Sequence, residues 1–178
     1  MRITGGKLGG RLVRCPEGII RPAMDKMRES IFAIIQEELP GASFLDLFSG
    51  SGVIGLEAWS RGAQKIVMVE KDRGKRHILA ENAALAEGNA VVHIMPVERY
   101  LKFMTEGPFN FIFLDPPFPY RFKAQLLDMA GEPQLLAEGG SVLIHHPKED
   151  KLPEKTTALL QTDRRVYGRS VVRFYKRA

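Results

Sequence analysis

The sequence predicts an α/β fold built on a doubly wound, mostly parallel β-sheet. Strand and helix patterns alternate between residues 43 and 145, which is typical of a parallel sheet covered by helices on both faces. The strand segments are short and apolar, and Phe109–Leu114 is the strongest of them. Two further strand patterns flank Gly168 near the carboxyl end, where a hairpin would add an antiparallel edge strand.

The individual elements follow in order along the chain. Two Gly-Gly pairs among basic and apolar residues at 2–14 indicate a small irregular hairpin. A helical pattern begins at Pro22 and is stopped by Pro40-Gly41, while Gly62 and Gly88 end the next two helices. We expect strands at residues 43–48, 65–70, 91–95, 109–114, 141–145, 162–167 and 170–176, and the later helices at 53–61, 72–87, 97–105, 121–130 and 133–138.

Length and composition are those of one globular domain. The chain has 178 residues, of which 44% are hydrophobic and 26% charged. We therefore expect a single domain over residues 1–178, with residues 1–20 as an N-terminal hairpin extension within it, and a monomer. Cys15 is the only cysteine, which excludes an internal disulfide and favours a cytoplasmic location. No apolar run approaches the ~18 residues of a membrane span, so no membrane partner is expected.

Charge is distributed unevenly along the chain. The net charge is +5, but residues 1–28 carry +5, residues 29–150 carry −6 and residues 151–178 carry +6. A mildly acidic body with two basic ends can present an electrostatic footprint for a polyanion, although solvated surface side chains explain the same composition. Arginine dominates the last segment, and its planar fork suits phosphate, which favours a nucleic acid partner.

A glycine-rich segment lies between the first strand of the sheet and the next helix. Gly50, Gly52 and Gly55 match G-x-G-x-x-G, which alone is a weak signal for a dinucleotide site or a plain strand–helix turn. Asp46, near the strand end, would repel a pyrophosphate but suits a cationic amino-acid group. Glu70 ends the next strand, where its carboxylate can accept hydrogen bonds from both hydroxyls of a ribose. An anionic site with a ribose anchor fits S-adenosylmethionine, whose sulfonium and ammonium groups are both positive.

The fourth strand ends in Ile-Phe-Leu-Asp-Pro-Pro-Phe at residues 112–118. The prolines fix φ and cannot continue a ladder, so the chain forms a rigid corner at the sheet edge. Asp115 and the Pro116 carbonyl can together accept the two hydrogens of an exocyclic amino group, while Phe118 stacks on the ring that carries it. Acceptors on both N–H bonds favour a pyramidal nitrogen whose lone pair points at a methyl donor. The structural alternative is a proline-terminated strand with a core phenylalanine.

With these two motifs the sequence resembles a class I, Rossmann-like S-adenosylmethionine-dependent methyltransferase that methylates amino groups. Nearly the whole chain is similar, in one order, to the bacterial 16S rRNA (guanine-N2)-methyltransferase family. The segments that carry the resemblance are Met-Arg-Ile-Thr-Gly-Gly-Lys at 1–7, Arg-Pro-Ala-Met-Asp-Lys-Met-Arg-Glu-Ser-Ile-Phe at 21–32, Phe-Leu-Asp-Leu-Phe-Ser-Gly-Ser-Gly at 44–52, Val-Glu-Lys-Asp at 69–72, Phe-Leu-Asp-Pro-Pro-Phe at 113–118 and Tyr-Gly at 167–168. The Asp-Pro-Pro-aromatic element is shared with DNA adenine-N6 enzymes, so the segment at 21–32 is the more specific one.

The resemblance implies a seven-stranded sheet with an N-terminal β-hairpin, S-adenosylmethionine as cofactor, and as substrate a guanine of 16S rRNA in the 30S subunit or its assembly intermediate. The catalytic candidates that it implies are Asp115, Pro116, Pro117 and Phe118. The cofactor-binding candidates are Asp46, Phe48, Gly50, Ser51, Gly52, Glu70, Lys71, Val97 and Glu98. The basic ends contribute the RNA-binding candidates Arg2, Lys7, Arg11, Arg14, Arg21, Arg28 and Arg169, of which Arg28 could also reach towards the cofactor.

Three other functions remain open at this point. A DNA adenine-N6 methyltransferase would share the corner at residues 115–118, a nicotinamide-dependent oxidoreductase would share the glycine spacing, and a non-catalytic RNA-binding module would use only the basic ends. His145 and His146 stand where we expect an acidic residue after the fifth strand. Adjacent strand residues point to opposite faces, so we expect no metal site there. One of the two could receive the proton displaced from the base, or both could be structural.

Overall fold

The computed structural model describes residues 1–17, 25–103 and 106–177. The expected helix start at Pro22 and the RNA-binding candidate Arg21 therefore lie outside the described residues. The chain forms two compact units, Met1–Pro96 and Val97–Ala178, and the single-domain organisation stays a prediction. Within the described ranges, no helix is long and apolar enough to span a bilayer.

Within residues 1–17 and 25–96, the first unit contains three parallel strands and three α-helices. These are α1 (Asp25–Ile35), β1 (Ser43–Leu47), α2 (Val53–Ser60), β2 (Lys65–Glu70), α3 (Arg76–Ala83) and β3 (Ala90–Ile94). The strands lie in the order β3-β2-β1, and the parallel register pairs Leu47 with Val69. The carboxyl ends of β1 and β2 therefore meet at the same edge of the sheet, and the loop that leaves β1 begins beside the end of β2.

The N-terminal extension is a small irregular hairpin that packs on α2. Arg2 and Leu12 form an antiparallel bridge, and a 3₁₀ turn spans Gly6–Leu8 between them. Gly6 has φ +74°, and a Cβ there would lie 1.9 Å from the carbonyl oxygen of Ser60. Only glycine fits this position, because both the backbone conformation and the close approach exclude a side chain. The Ser60 hydroxyl also accepts from the amide of Leu8 at 2.8 Å.

The part of the second unit that the structure describes contains four strands and two helices. These are α4 (Val97–Phe103), β4 (Phe109–Leu114), α5 (Lys123–Ala130), β5 (Leu136–Pro147), β6 (Leu159–Tyr167) and β7 (Ser170–Arg177). The strands lie in the order β4-β5-β7-β6, where β4 and β5 are parallel and the β5-β7 and β7-β6 pairs are antiparallel. The terminal hairpin expected from the sequence is thus present, and it adds both antiparallel strands.

All seven strands belong to one mostly parallel sheet, which confirms the predicted fold class. The helix predicted over 133–138 is wrong, because β5 already begins at Leu136. Leu136 pairs with Phe109 of β4, whose amide donates to the carbonyl of Leu135 at 2.7 Å. These ladder contacts use the backbone groups that a helix would need. The helix predicted over 72–87 is an α-helix only at Arg76–Ala83, with a 3₁₀ turn at either end.

Candidate functional site

The loop that follows β1 turns sharply into α2. Phe48 has φ 64° although it is not glycine, and Gly50 and Gly52 have φ 56° and 78°. A Cβ on Gly52 would lie 2.8 Å from Cδ1 of Leu79 and 2.9 Å from Sδ of Met68. Gly52, the second glycine of the predicted motif, is therefore required for two reasons: its backbone is left-handed, and the side chains of Leu79 and Met68 leave no room for a Cβ.

Glu70, the predicted ribose anchor, is tied to this glycine loop. Its side chain is nearly buried at the end of β2, and its Oε2 accepts from the amide of Gly50 at 2.9 Å. The other oxygen accepts from the amide of Asp72 at 2.9 Å, while Nζ of Lys75 stands 3.8 Å away. Each carboxylate oxygen has two lone pairs, so two backbone bonds orient Glu70 without exhausting its acceptors. The structure thus brings together two predicted cofactor-binding residues, Gly50 and Glu70, that lie twenty residues apart in sequence. Lys71 next to it is exposed.

Asp46 and Ser51 are buried, and each has a partner that holds the loop in place. The Asp46 carboxylate is 1% exposed and accepts from the amide of Gly55 at 3.1 Å, so it secures the first turn of α2. The carbonyl of Ser51 accepts from the side-chain amide of Asn82 at 2.8 Å. The same amide nitrogen donates to the carbonyl of Arg14 at 2.8 Å. Asn82, which sequence reasoning missed, therefore ties the glycine loop to the N-terminal extension.

Arg28 requires a correction, since it does not present its charge to a ligand. Its side chain is fully buried, its Nε donates to Glu57 at 3.1 Å, and its Nη2 donates to Asp25 at 2.7 Å. Glu57 is equally buried and also accepts from the amide of Thr4 at 2.7 Å. The guanidinium joins α1, α2 and the N-terminal extension, so its observed role is structural, and contact with RNA phosphate or cofactor is not supported.

The other described RNA-binding candidates are on the surface. The Arg2 side chain is 62% exposed and stands 3.8 Å from Asp25, and that of Arg14 is equally exposed and contacts Glu81 at 2.6 Å. Nζ of Lys7 lies 3.2 Å from the ring centroid of Trp59, a cation–π contact. Arg11 and Arg169 are also exposed. These side chains are free to approach a polyanion, since exposed ion pairs are weak.

The corner after β4 carries a pair that the sequence did not predict. The parallel register pairs Leu114 with Ile144, which places Asp115 beside His145 at the ends of β4 and β5. Oδ1 of Asp115 lies 2.8 Å from Nδ1 of His145. The Asp115 side chain is 26% exposed and that of His145 only 9%. The ring of Phe118 packs edge-on against His145, with centroids 5.5 Å apart. The structure thus joins three residues in one cluster.

The direction of this hydrogen bond follows from the chemistry of the two groups. An ionised carboxylate only accepts, so the imidazole of His145 donates from Nδ1. The bond fixes the plane of the Asp115 carboxylate and leaves its second oxygen for another donor. Nε2 of His145 is buried without a hydrogen-bond partner among the described residues. Pro116 is buried and Pro117 exposed, so the corner is anchored on one side and open on the other.

The segment after β3 contains the last two cofactor candidates. Val97 is buried, with 2% of its surface exposed. Glu98 is exposed and accepts from the hydroxyl of Tyr120. Burial, together with this carboxylate, raises the pKa of the Tyr120 phenol. The contact of either residue with an adenine stays a prediction. Among residues 1–17, 25–103 and 106–177, no three His, Cys, Asp or Glu side chains cluster as metal ligands.

Several known proteins that are similar to this chain are named as methyltransferases. The family described as Conserved hypothetical protein 95 matches residues 1–176. YlbH of Bacillus subtilis, provisionally named an rRNA methyltransferase, is 36% identical over 99% of both chains. The ribosomal RNA small subunit methyltransferase D of Escherichia coli is 31% identical over 99% of this chain and 90% of that protein. The structure of yhhF from Escherichia coli, provisionally named a methyltransferase, has a TM-score of 0.89 at 31% identity, covering 99% of this chain and 97% of that one.

Proposed function

The chain belongs to the family described as Conserved hypothetical protein 95, and we propose that it methylates the exocyclic N2 amine of a guanine in 16S rRNA, with S-adenosylmethionine as methyl donor. The observation that carries this proposal is the Asp115–His145 pair at the end of β4. It orients the Asp115 carboxylate through one oxygen and leaves the other oxygen to accept from an exocyclic amine. The similar proteins supply the class of substrate, since two of them are named as rRNA methyltransferases.

The catalytic task of the corner is to position the amine. Oδ2 of Asp115 and the carbonyl of Pro116 accept its two N–H bonds, while Phe118 stacks on the guanine ring. The nitrogen lone pair forms the new N–C bond as the S–C bond breaks, and Asp115 then receives the proton that leaves N2. Positioning of this kind lowers barriers by roughly 7–11 kcal/mol. The base must first leave its stack, at a cost of a few kcal/mol.

The glycine loop and Glu70 fit the cofactor. S-adenosylmethionine supplies an electrophilic methyl group when it is bound. Glu70 is oriented by the amides of Gly50 and Asp72 and keeps lone pairs for the two ribose hydroxyls. Phe48, Gly50, Ser51 and Gly52 line the methionine side in this proposal, and the acidic Asp46 provides a favourable potential for a cationic ligand. Lys71, Val97 and Glu98 are assigned to the adenine.

The RNA is held mainly through its phosphates. The exposed candidates of the N-terminal extension, together with Arg169, supply the positive charge, and the protein acts as a cytoplasmic monomer on the 30S subunit or its assembly intermediate. Each phosphate contact releases counterions, so the logarithm of the affinity falls with the logarithm of the salt concentration. A flat salt dependence would show that these side chains are ordinary solvated surface.

The test is methyl transfer from labelled S-adenosylmethionine to 30S particles that lack the modification, with free 16S rRNA and duplex DNA as the second and third substrates. We expect label in N2-methylguanosine. Asp115→Asn should reduce kcat roughly 10- to 100-fold, the equivalent of one hydrogen bond to a charged group. Asp128→Asn, on an exposed carboxylate of α5, is the matched control and should change nothing. Label in N6-methyladenine of duplex DNA, which the same corner could accept, would replace guanine by adenine as the substrate.

A further inference from the structure

The loop that leaves the Asp115 corner carries two neighbouring aromatic side chains, the exposed Phe122 and the half-buried Tyr120. Phe122, the residue before α5, is 59% exposed, which is unusual for so large an apolar side chain. The ring of Tyr120 packs against it edge to face, with centroids 6.0 Å apart and planes at 80°. Arg121, between them, is exposed. The loop therefore displays an aromatic pair with a cation in its middle.

Contacts of Lys123 and Tyr120 hold this loop in one conformation. Lys123 is almost fully buried, and its ammonium donates to the carbonyls of Phe118 and Tyr120, both at 2.7 Å. The same ammonium forms an ion pair with Asp150 at 2.6 Å, so its charge is compensated within the fold. The hydroxyl of Tyr120 donates to Glu98, which fixes the other side of the ring. The aromatic pair is thus held in place before any ligand binds.

The composition of this surface indicates the ligand that it fits. Exposed aromatic rings with an interleaved arginine are the pattern by which proteins hold unpaired nucleobases, because the bases stack on the rings while the cation contacts the backbone. We propose that Tyr120, Arg121 and Phe122 form a stacking platform for an unpaired base of the RNA, next to the base that Asp115 receives. The inference rests on the proposed function, since it assigns part of the same substrate. It adds a contact to single-stranded RNA that the basic ends do not provide.

Phe103 offers a matched control within the same unit. It is 65% exposed, and Nζ of Lys102 lies 5.3 Å from its ring centroid. It lies on α4, away in sequence from the loop at 118–122, and among the described residues no second aromatic ring pairs with it. A test that only detects exposed aromatic groups near a cation would respond equally at Phe103 and Phe122.

The first experiment measures stacking directly. In the Phe122→Trp variant of the full chain, a short unpaired oligoribonucleotide should quench the indole fluorescence. In Phe103→Trp it should not. Trp59, the native tryptophan, is 2% exposed and contributes the same signal to both variants. Quenching that is absent from Phe122→Trp, or equal in the two variants, overturns the platform.

The second experiment measures its contribution to substrate binding. Phe122→Ala should raise KM for 30S particles roughly 5- to 150-fold, the value of one stacked base, with kcat and the affinity for S-adenosylhomocysteine unchanged. Phe122→Trp should restore KM, and Phe103→Ala should leave it unaltered. Unchanged KM in an active enzyme refutes the platform alone. Quenching without any methylation of rRNA refutes the proposed function and leaves the platform standing.

Discussion

Substitution of Arg28 tests whether this basic residue stabilises the fold or binds RNA. The change Arg28→Met keeps most of the side-chain volume but removes the donors to Glu57 and Asp25. Glu57 then remains fully buried without its closest cation, although Nη2 of Arg61 still lies 3.4 Å from its Oε2 and Thr4 still donates to it. Removal of one partner of a buried ion pair costs about 3–5 kcal/mol. For a chain of this length, each kcal/mol lowers Tm by about 2–4 °C, so we expect a loss of about 6–20 °C.

The assay is thermal unfolding of Arg28→Met beside Arg2→Ala, together with RNA affinity measured well below either Tm. Arg2 is exposed and its pair with Asp25 is long, so its loss should cost at most about 1 kcal/mol of stability. RNA affinity of the folded Arg28→Met protein should equal that of the wild type. A Tm within about 2 °C of the wild type, a shift below 1 kcal/mol, combined with lost RNA binding would refute the structural role of Arg28.

Three further predictions concern individual residues. His145→Ala should lower kcat roughly 10- to 100-fold without changing affinity for S-adenosylhomocysteine, because the Asp115 carboxylate loses the hydrogen bond that orients it. His145→Asn retains an N–H near the Nδ1 position and should recover most of the activity. An equal loss of activity in both variants would contradict this role of His145. Gly52→Ala should destabilise the fold by roughly 1–3 kcal/mol, since φ is +78° and the new Cβ would lie too close to Cδ1 of Leu79. The same variant should weaken cofactor binding, measured by calorimetry. Normal cofactor binding would show that the loop tolerates a side chain. Burial lowers the pKa of His146 to about 4, so this group is neutral in the fold and takes up a proton on unfolding below about pH 6.5. Its contribution to stability is complete above about pH 6.5 and is lost as the pH falls through 4. In thermal melts, His146→Gln should therefore reduce the dependence of Tm on pH in this range. An unchanged pH dependence of Tm would assign it to other groups.

The fold was predictable because its signals are local. The apolar strands and their glycine or proline ends can be read from neighbouring residues, so β2 and β4 begin and end where the sequence predicts. The segment at 133–138 could not be predicted in the same way. Its pairing with Phe109 of β4, and the register shift before Phe111, are long-range contacts that override the local helical pattern.

The motifs of the candidate site could be predicted from the sequence, but the contacts between their residues could not. Glu70 and the glycine loop were expected near each other, because adjacent parallel strands end at one edge. The Asp115–His145 bond needs the register of β4 against β5, which no single segment encodes, although the order of these strands could have suggested it. Arg28 was misassigned because a sequence does not show that a buried carboxylate, Glu57, will neutralise it.

Nucleoside mass spectrometry of small-subunit rRNA tests whether Asp115 directs methylation to the amine of a guanine. rRNA from cells without this gene should contain less N2-methylguanosine. The wild-type gene should restore it, and the Asp115→Ala gene, expressed to the same level, should not. Unchanged N2-methylguanosine in the absence of the gene, or full restoration by Asp115→Ala, would contradict the assignment.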